Sequence, residues 1–437
     1  MNPEFGRNLR VEISPYRLMA MTLTLALIFL LVHMASGPLS GATNSALAQI
    51  MFIAIAVIWG SRLAAGSVLQ EIRANTWDSQ KLSALSPWQM TWGKLLGSTS
   101  YVWFGGMLCG AVYLIYRNQI DEQAVKTVVA MLQFGLLVHA LSMASSLIAI
   151  RKNPKAPSSL LTLAEPITAF VAAVFVFTSL QRGAPIVWFG ITTARLDFYT
   201  IVLALGCCWA VAAVYRLMCV ELQIRTIPWL WPVFTLFVAG YWAGLEAGES
   251  QHFSLHALLQ TGFWFALVFT YIAAFADRRD PITVHRCLLA WRYGSLRRRL
   301  EEFPYWTSSF ALALVLAAVL AITSPSTAGD GSLRLATWPA LLVAVRDIGL
   351  LYYTGFGRRS VTADMTAFLY LALLHKLIPG LLQLTRLDGL APFVDPLLHP
   401  NPILALIITL AHCAVVAWLL RGRWYARTAP LREVAAA

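Results

Sequence analysis

Charge is scarce in this chain. Only 12% of its 437 residues are Asp, Glu, Lys or Arg, about half the share of an ordinary soluble domain, which excludes a soluble globular body of this length. Cysteine is also sparse, at six residues. Cys109, Cys207, Cys208, Cys219 and Cys413 fall in or beside apolar stretches and Cys287 in a polar loop, with no CxxC pair, so neither a disulfide framework nor a cysteine metal site is expected. A GxxxxGK[ST] phosphate loop is missing, so the chain is expected to bind no cofactor and to hydrolyse no ATP itself. The longest polar interval, residues 277–304, is too short to fold as an independent domain.

What the chain has instead is apolar length. Hydrophobic residues make up 58% of it, and mean hydropathy is +0.66. A span needs about 20 apolar residues. Twelve such runs are predicted, at about 18–36, 46–66, 88–116, 124–149, 158–180, 197–218, 228–246, 253–276, 305–323, 338–355, 364–384 and 401–420. The expected fold class is therefore an all-α polytopic membrane protein. With both termini placed in the cytosol, most of the 33 basic residues fall on the cytosolic side, as the positive-inside rule asks. The +12 net charge then belongs to loops facing anionic lipid, and nucleic acid is not an expected partner.

A cut near Thr226 leaves six predicted spans on each side, residues 1–226 and 227–437. In both halves the longest cytosolic loop follows the second span. It ends in Ser86-Pro87-Trp88 in one half and in Phe303-Pro304-Tyr305-Trp306 in the other. The fifth spans carry Glu165-Pro166 and His375-Lys376 with Pro379, where a missing amide hydrogen is expected to kink the helix. The pattern predicts two similar six-helix halves.

The N-terminal stretch sets Phe5, Leu9, Ile13 and Tyr16 at helical spacing beside Arg7, Arg10 and Arg17, which predicts an interfacial elbow helix. After the second span, Ile72, Trp77, Leu82 and Leu85 alternate with Glu71, Arg73, Asp78 and Lys81. That segment is too polar to span, and a short helix along the membrane surface is expected. Its order of Glu71, Thr76-Trp77-Asp78, Leu85-Ser86-Pro87 and Gly93-Lys94-Leu95 resembles the coupling region of ABC-2 type transporter permeases. The resemblance covers most of the first 116 residues and, in organisation, the whole chain. It implies a transport subunit and not an enzyme, in a bacterial inner membrane, exporting an unidentified substrate. ATP and Mg would be bound by a separate ABC ATP-binding subunit, in two copies. Glu71, Thr76, Trp77, Asp78, Ser86, Pro87, Gly93 and Lys94 would couple that ATPase to the spans. Many such permeases have six spans where this chain has two sets. The loop carrying Val284, Leu288 and Trp291 takes the position of a second coupling helix with a weaker match, and Arg297-Arg298-Arg299 reads as a basic run facing lipid.

Ionisable side chains inside spans are costly and face protein or water. Glu165, Arg346, Asp347, His375 and Lys376 are therefore candidate pathway residues, with internal ion pairs between helices as the competing reading. If Glu165, Asp347 or His375 relay protons or ions, the alternative function is an ion-coupled secondary transporter. An intramembrane enzyme acting on lipid would need a nucleophile or carboxylate pair, and no convincing His, Asp or Ser constellation is present.

Overall fold

The computed structural model describes residues 2–37, 40–83, 85–117, 121–152, 184–224, 229–249, 254–323, 331–357 and 362–436. It is 87% helical. Eight helices are long and apolar enough to cross a membrane, or nine when the bent pair Pro87–Gly97 and Ser100–Tyr116 counts as one span, among the described residues. The protein is thus an all-α polytopic membrane protein. Leu230–Glu249 and Gly331–Gly355 are helical but are not among those eight, and the predicted span at 158–180 with Glu165 and Pro166 lies outside the described residues.

Two compact units divide the chain. One comprises Met1–Val187 and Ile191–Thr226, the other Trp188–Gly190 and Ile227–Ala437. The first opens with α1 (Pro3–Glu12) and α2 (Pro15–Ser36). Its second span is built from α3 (Ser40–Phe52), a π-helical stretch at Ile53–Trp59 and α4 (Gly60–Arg73). Then come α5 (Trp77–Lys81), α6 (Pro87–Gly97), α7 (Ser100–Tyr116), α8 (Glu122–Lys152), a hairpin of β1 (Ile186–Trp188) and β2 (Ile191–Thr193), and α9 (Arg195–Glu221). Within this unit α2 packs on α3 and α7, α3 on α7, and α8 on both α4 and α9.

In the second unit α10 (Leu230–Glu249) and α11 (Leu255–Ala276) precede two short helices, α12 (Pro281–Tyr293) and α13 (Leu296–Glu302). They are followed by α14 (Tyr305–Thr323), α15 (Gly331–Gly355), α16 (Ala363–Ala372), a π-helical stretch at Leu373–Leu377, α17 (Ile378–Leu384), α18 (Ala391–Val394) and α19 (Pro402–Ala436). Here α10 packs on α11 and α14, α11 on α14, and α15 on both α11 and α19. The order of neighbours in the first unit recurs in the second.

Four helix starts share one local recipe, a short polar side chain followed by proline. Asn2-Pro3, Ser14-Pro15, Ser86-Pro87 and Asp280-Pro281 each cap a helix this way. The cap accepts an orphan backbone N–H while proline occupies a position whose N–H has no intrahelical partner. At Ser86 the cap is reciprocal: the Gln89 amide donates to Ser86 Oγ at 3.2 Å, and the Ser86 amide donates to Gln89 Oε1 at 3.0 Å.

Three sequence expectations change here. The elbow stripe does not run through one helix, because Ser14-Pro15 ends it, and Tyr16 begins α2 with 85% of its surface exposed. The predicted third span bends by 54° between α6 and α7. The predicted kink in the fifth span of the second unit is a π-helical stretch with Pro379 just beyond it, where the missing N–H leaves a carbonyl free of its usual partner.

Candidate functional site

Close helix packing creates the first site. Gly93 and Gly97 lie one turn apart on α6, and α1 rests directly on them. A Cβ at Gly93 would come within 2.6 Å of the Glu4 side chain, and one at Gly97 within 2.8 Å of Asn8. Small residues four apart let two backbones approach in this way. Asn2 Nδ2 donates to the Gln89 carbonyl at 2.7 Å and Asn8 Nδ2 to the Gly93 carbonyl at 3.1 Å, fixing the register.

This approach brings Glu4 onto Lys94, the centre of a closed network. Lys94 is 1% exposed and donates to Glu4 Oε1 at 3.0 Å, to Gln80 Oε1 at 3.0 Å and to Glu71 Oε2. All three ammonium hydrogens therefore have acceptors. Gln80 Nε2 donates to Glu71 Oε1 at 2.7 Å, and Arg7 bridges Glu4, at 2.8 Å, and Glu71. The two carboxylates balance Lys94 and Arg7, so the cluster carries no net charge, the condition under which buried ions are tolerated. Burial opposes the charge on Arg7, but its bonds to Glu71 and Glu4 outweigh that and hold its pKa above the usual arginine value. Lys94 Nζ also lies 5.2 Å from the Trp77 ring.

Several predicted coupling residues change role. Glu71 is not on a surface helix but on the last turn of α4, and the expected surface helix shrinks to the five residues of α5. Trp77, expected on the docking face, is 4% exposed and packs with Met90, Met143 and Leu147. An indole on such a short helix is expelled from water by its own apolar area. Asp78 and Leu82 are the outward residues, 91% and 89% exposed. Thr76 is exposed and donates to the Glu71 carbonyl at 3.3 Å, closing the turn in which Asn75 has φ of 56°. Ser86 and Pro87 start α6, and Gly93 and Lys94 lie buried in its middle.

The second unit has its own buried network. Arg346 Nε donates to Asp347 Oδ1 at 2.8 Å, with Nη2 equally close, and Tyr271 Oη to Asp347 Oδ2 at 2.7 Å. His375 Nε2 is 2.9 Å from Asp347 Oδ2, and its Nδ1 is 3.1 Å from Asp395 Oδ2. Arg346 Nη2 also lies 3.0 Å from His375 Nε2, and Arg346 Nη1 lies 3.4 Å from His412 Nδ1. Arg346 and Asp347 are 2% and 0% exposed. The π-helical stretch turns His375 inward, while Lys376 beside it is exposed and takes no part in the bonds described. The structure thus joins Arg346, Asp347 and His375, separates Lys376 from them, and leaves Glu165 outside the described residues.

A protonated His375 donates to both carboxylates but sets its Nε2–H 3.0 Å from the Arg346 Nη2 donor. A neutral ring protonated at Nδ1 donates to Asp395 and accepts at Nε2 from Arg346, but sets that lone pair 2.9 Å from Asp347 Oδ2, itself an acceptor. Without a proton on His375 the Arg346, Asp347 and Asp395 set carries one net negative charge, and with it none.

Sequence reasoning missed Glu4, Arg7 and Gln80 in the first network and Tyr271, Asp395 and His412 in the second. The Gly93 to Gly97 spacing is the signal that could have shown a close helix contact, and His412 lay within a predicted span as an ionisable group. Tyr271 and Asp395 carried no such signal. Among the described residues no group of His, Cys, Asp and Glu could hold a metal ion. No family model matches this chain, and no curated protein or solved structure matches it.

Proposed function

We propose that this chain is the membrane-spanning subunit of an ABC-2 type transporter in a bacterial inner membrane, exporting an unidentified substrate with ATP hydrolysed on separate ATP-binding subunits. The observation that carries the reading is the Lys94 network. It ties α1, the end of α4, α5 and α6 into one rigid piece at a single end of the helices, so a push on α5 reaches two membrane helices at once. An electrostatically neutral, fully bonded joint transmits displacement without absorbing it. Asp78 and Leu82 form the outer surface of that piece and are the contact points for the ATPase. The excess of basic residues around this end supports a cytosolic position for it and for both termini.

The coupling experiment follows from the exposed pair, since Trp77 is a core residue whose loss would unfold the site. Asp78→Ala with Leu82→Ala should leave insertion and thermal stability unchanged and lower substrate-stimulated ATP turnover at least about five-fold, as the loss of a central interface contact would. Unchanged turnover in the assembled complex would remove the coupling role of α5.

A second reading, ion-coupled transport, is favoured by one observation: a titratable ring, His375, sits within hydrogen-bonding distance of two carboxylates and an arginine. In sealed vesicles, uptake or efflux that stops when the proton gradient is collapsed but persists without ATP would select this reading. The reverse dependence would select the first.

A further inference from the structure

We infer that α12 and α13 form a docking surface for anionic phospholipid on the membrane leaflet at that end of the second unit. The inference rests on the membrane character of the chain and is independent of the ATPase reading.

Tethering comes first. Only residues 277–280 separate α11 from α12, and only 303–304 separate α13 from α14. Asp277, 3% exposed, accepts the Tyr305 backbone N–H at 2.7 Å, so the two ends of the excursion are pinned together. Four linking residues reach at most about 14 Å, which keeps both helices beside the bilayer.

Their surface has the composition such a place selects. Ala290 is buried and faces protein, whereas Ile282, Leu289, Trp291, Tyr293 and Leu296 are exposed by 62%, 44%, 57%, 73% and 73%. Apolar exposure of this size on two short helices is costly in water and favourable at a headgroup boundary, where Trp and Tyr concentrate. Arginines alternate with these residues instead of occupying the opposite face. Arg292 lies over the Tyr293 ring at 5.3 Å and Arg299 over Trp291 at 5.8 Å. Guanidinium groups held on aromatic faces suit a boundary with phosphate above and acyl chain below.

Charge selects the kind of lipid. Residues 281–302 hold five arginines and two glutamates, a balance of +3. Both glutamates are engaged, Glu302 by Arg286 and Glu301 by Arg297, each at 3.0 Å. Arg292, Arg298 and the Nη groups of Arg299, whose Nε donates to the Gly294 carbonyl at 3.1 Å, are left to meet an external anion, and a leaflet containing phosphatidylglycerol supplies one at the required depth.

Trp291 is the reporter. The full-length chain and its Trp291→Phe variant are placed in phosphatidylcholine discs with about a quarter phosphatidylglycerol, carrying bromine either near the top of the acyl chains or nowhere. The emission difference between the two proteins isolates Trp291, and bromine should quench it by at least about two-fold. Quenching by aqueous iodide without quenching by bromine would place Trp291 in water and overturn the inference, the more so if an added ATPase subunit protected it. The Arg292→Gln, Arg298→Gln, Arg299→Gln variant should retain roughly half or less of the phosphatidylglycerol that co-purifies with the wild type. Equal retention, with stability unchanged, would overturn the preference for anionic lipid.

Discussion

Replacing Lys94 with alanine is expected to remove about 3–5 kcal/mol of stability, the cost of breaking a buried ion pair from one side. Glu4 and Glu71 would keep only Arg7 as a counter-charge, and Gln80 Oε1 would lose its donor. Lys94→Met keeps the apolar stem and should lose nearly as much, which separates the charge from the volume. Adding Glu4→Gln to Lys94→Met should recover part of the loss, because one uncompensated carboxylate disappears. Reversible unfolding in mild detergent measures all three. A loss below about 1 kcal/mol for Lys94→Ala would mean the network contributes no more than a surface pair.

Replacing Arg346 with methionine is expected to have a comparable effect, about 3–5 kcal/mol, since among the described residues it leaves Asp347 and Asp395 sharing His375 as their basic neighbour within hydrogen-bonding distance. The informative variant is the pair Arg346→Met with Asp347→Leu. Exchanging both ions for apolar groups of similar size is often close to neutral, so stability should return to within about 1–2 kcal/mol of the wild type. If the network only fastens helices, transport should return as well. Transport that stays absent while stability recovers would assign the charges to the transport step, and this answers the choice between pathway and internal ion pair that the sequence left open.

The membrane class was legible because it depends on composition and run length, which survive any error in placing individual residues. The site was legible only in part. Glu71 and Lys94 were picked out through the resemblance, but Glu4, the second carboxylate on Lys94, is 90 residues before it and meets it because Gly93 and Gly97 admit α1. Trp77 was misread because a helical stripe in a short polar segment looks like an exposed amphipathic face. Burial of an indole depends on neighbours such as Met143 that come from a distant helix. In the second unit Arg346, Asp347 and His375 could be identified separately as ionisable groups in spans. Their assembly depends on a π-helical stretch and on Asp395, which lies in a loop rich in proline and leucine.

The separation between Glu4 and Lys94 also bears on how the protein is made. Synthesis at about 5–20 residues per second puts roughly 5–18 seconds between the appearance of Glu4 and that of Lys94. During that interval the first helix has no α6 to rest on, and until Glu71 is made Glu4 and Arg7 have only each other and water. The elbow helix therefore cannot settle into its final place until the third membrane segment has entered the bilayer. Biogenesis of the first unit thus includes a late docking step, in which residues made well before α6 wait for it to be secured.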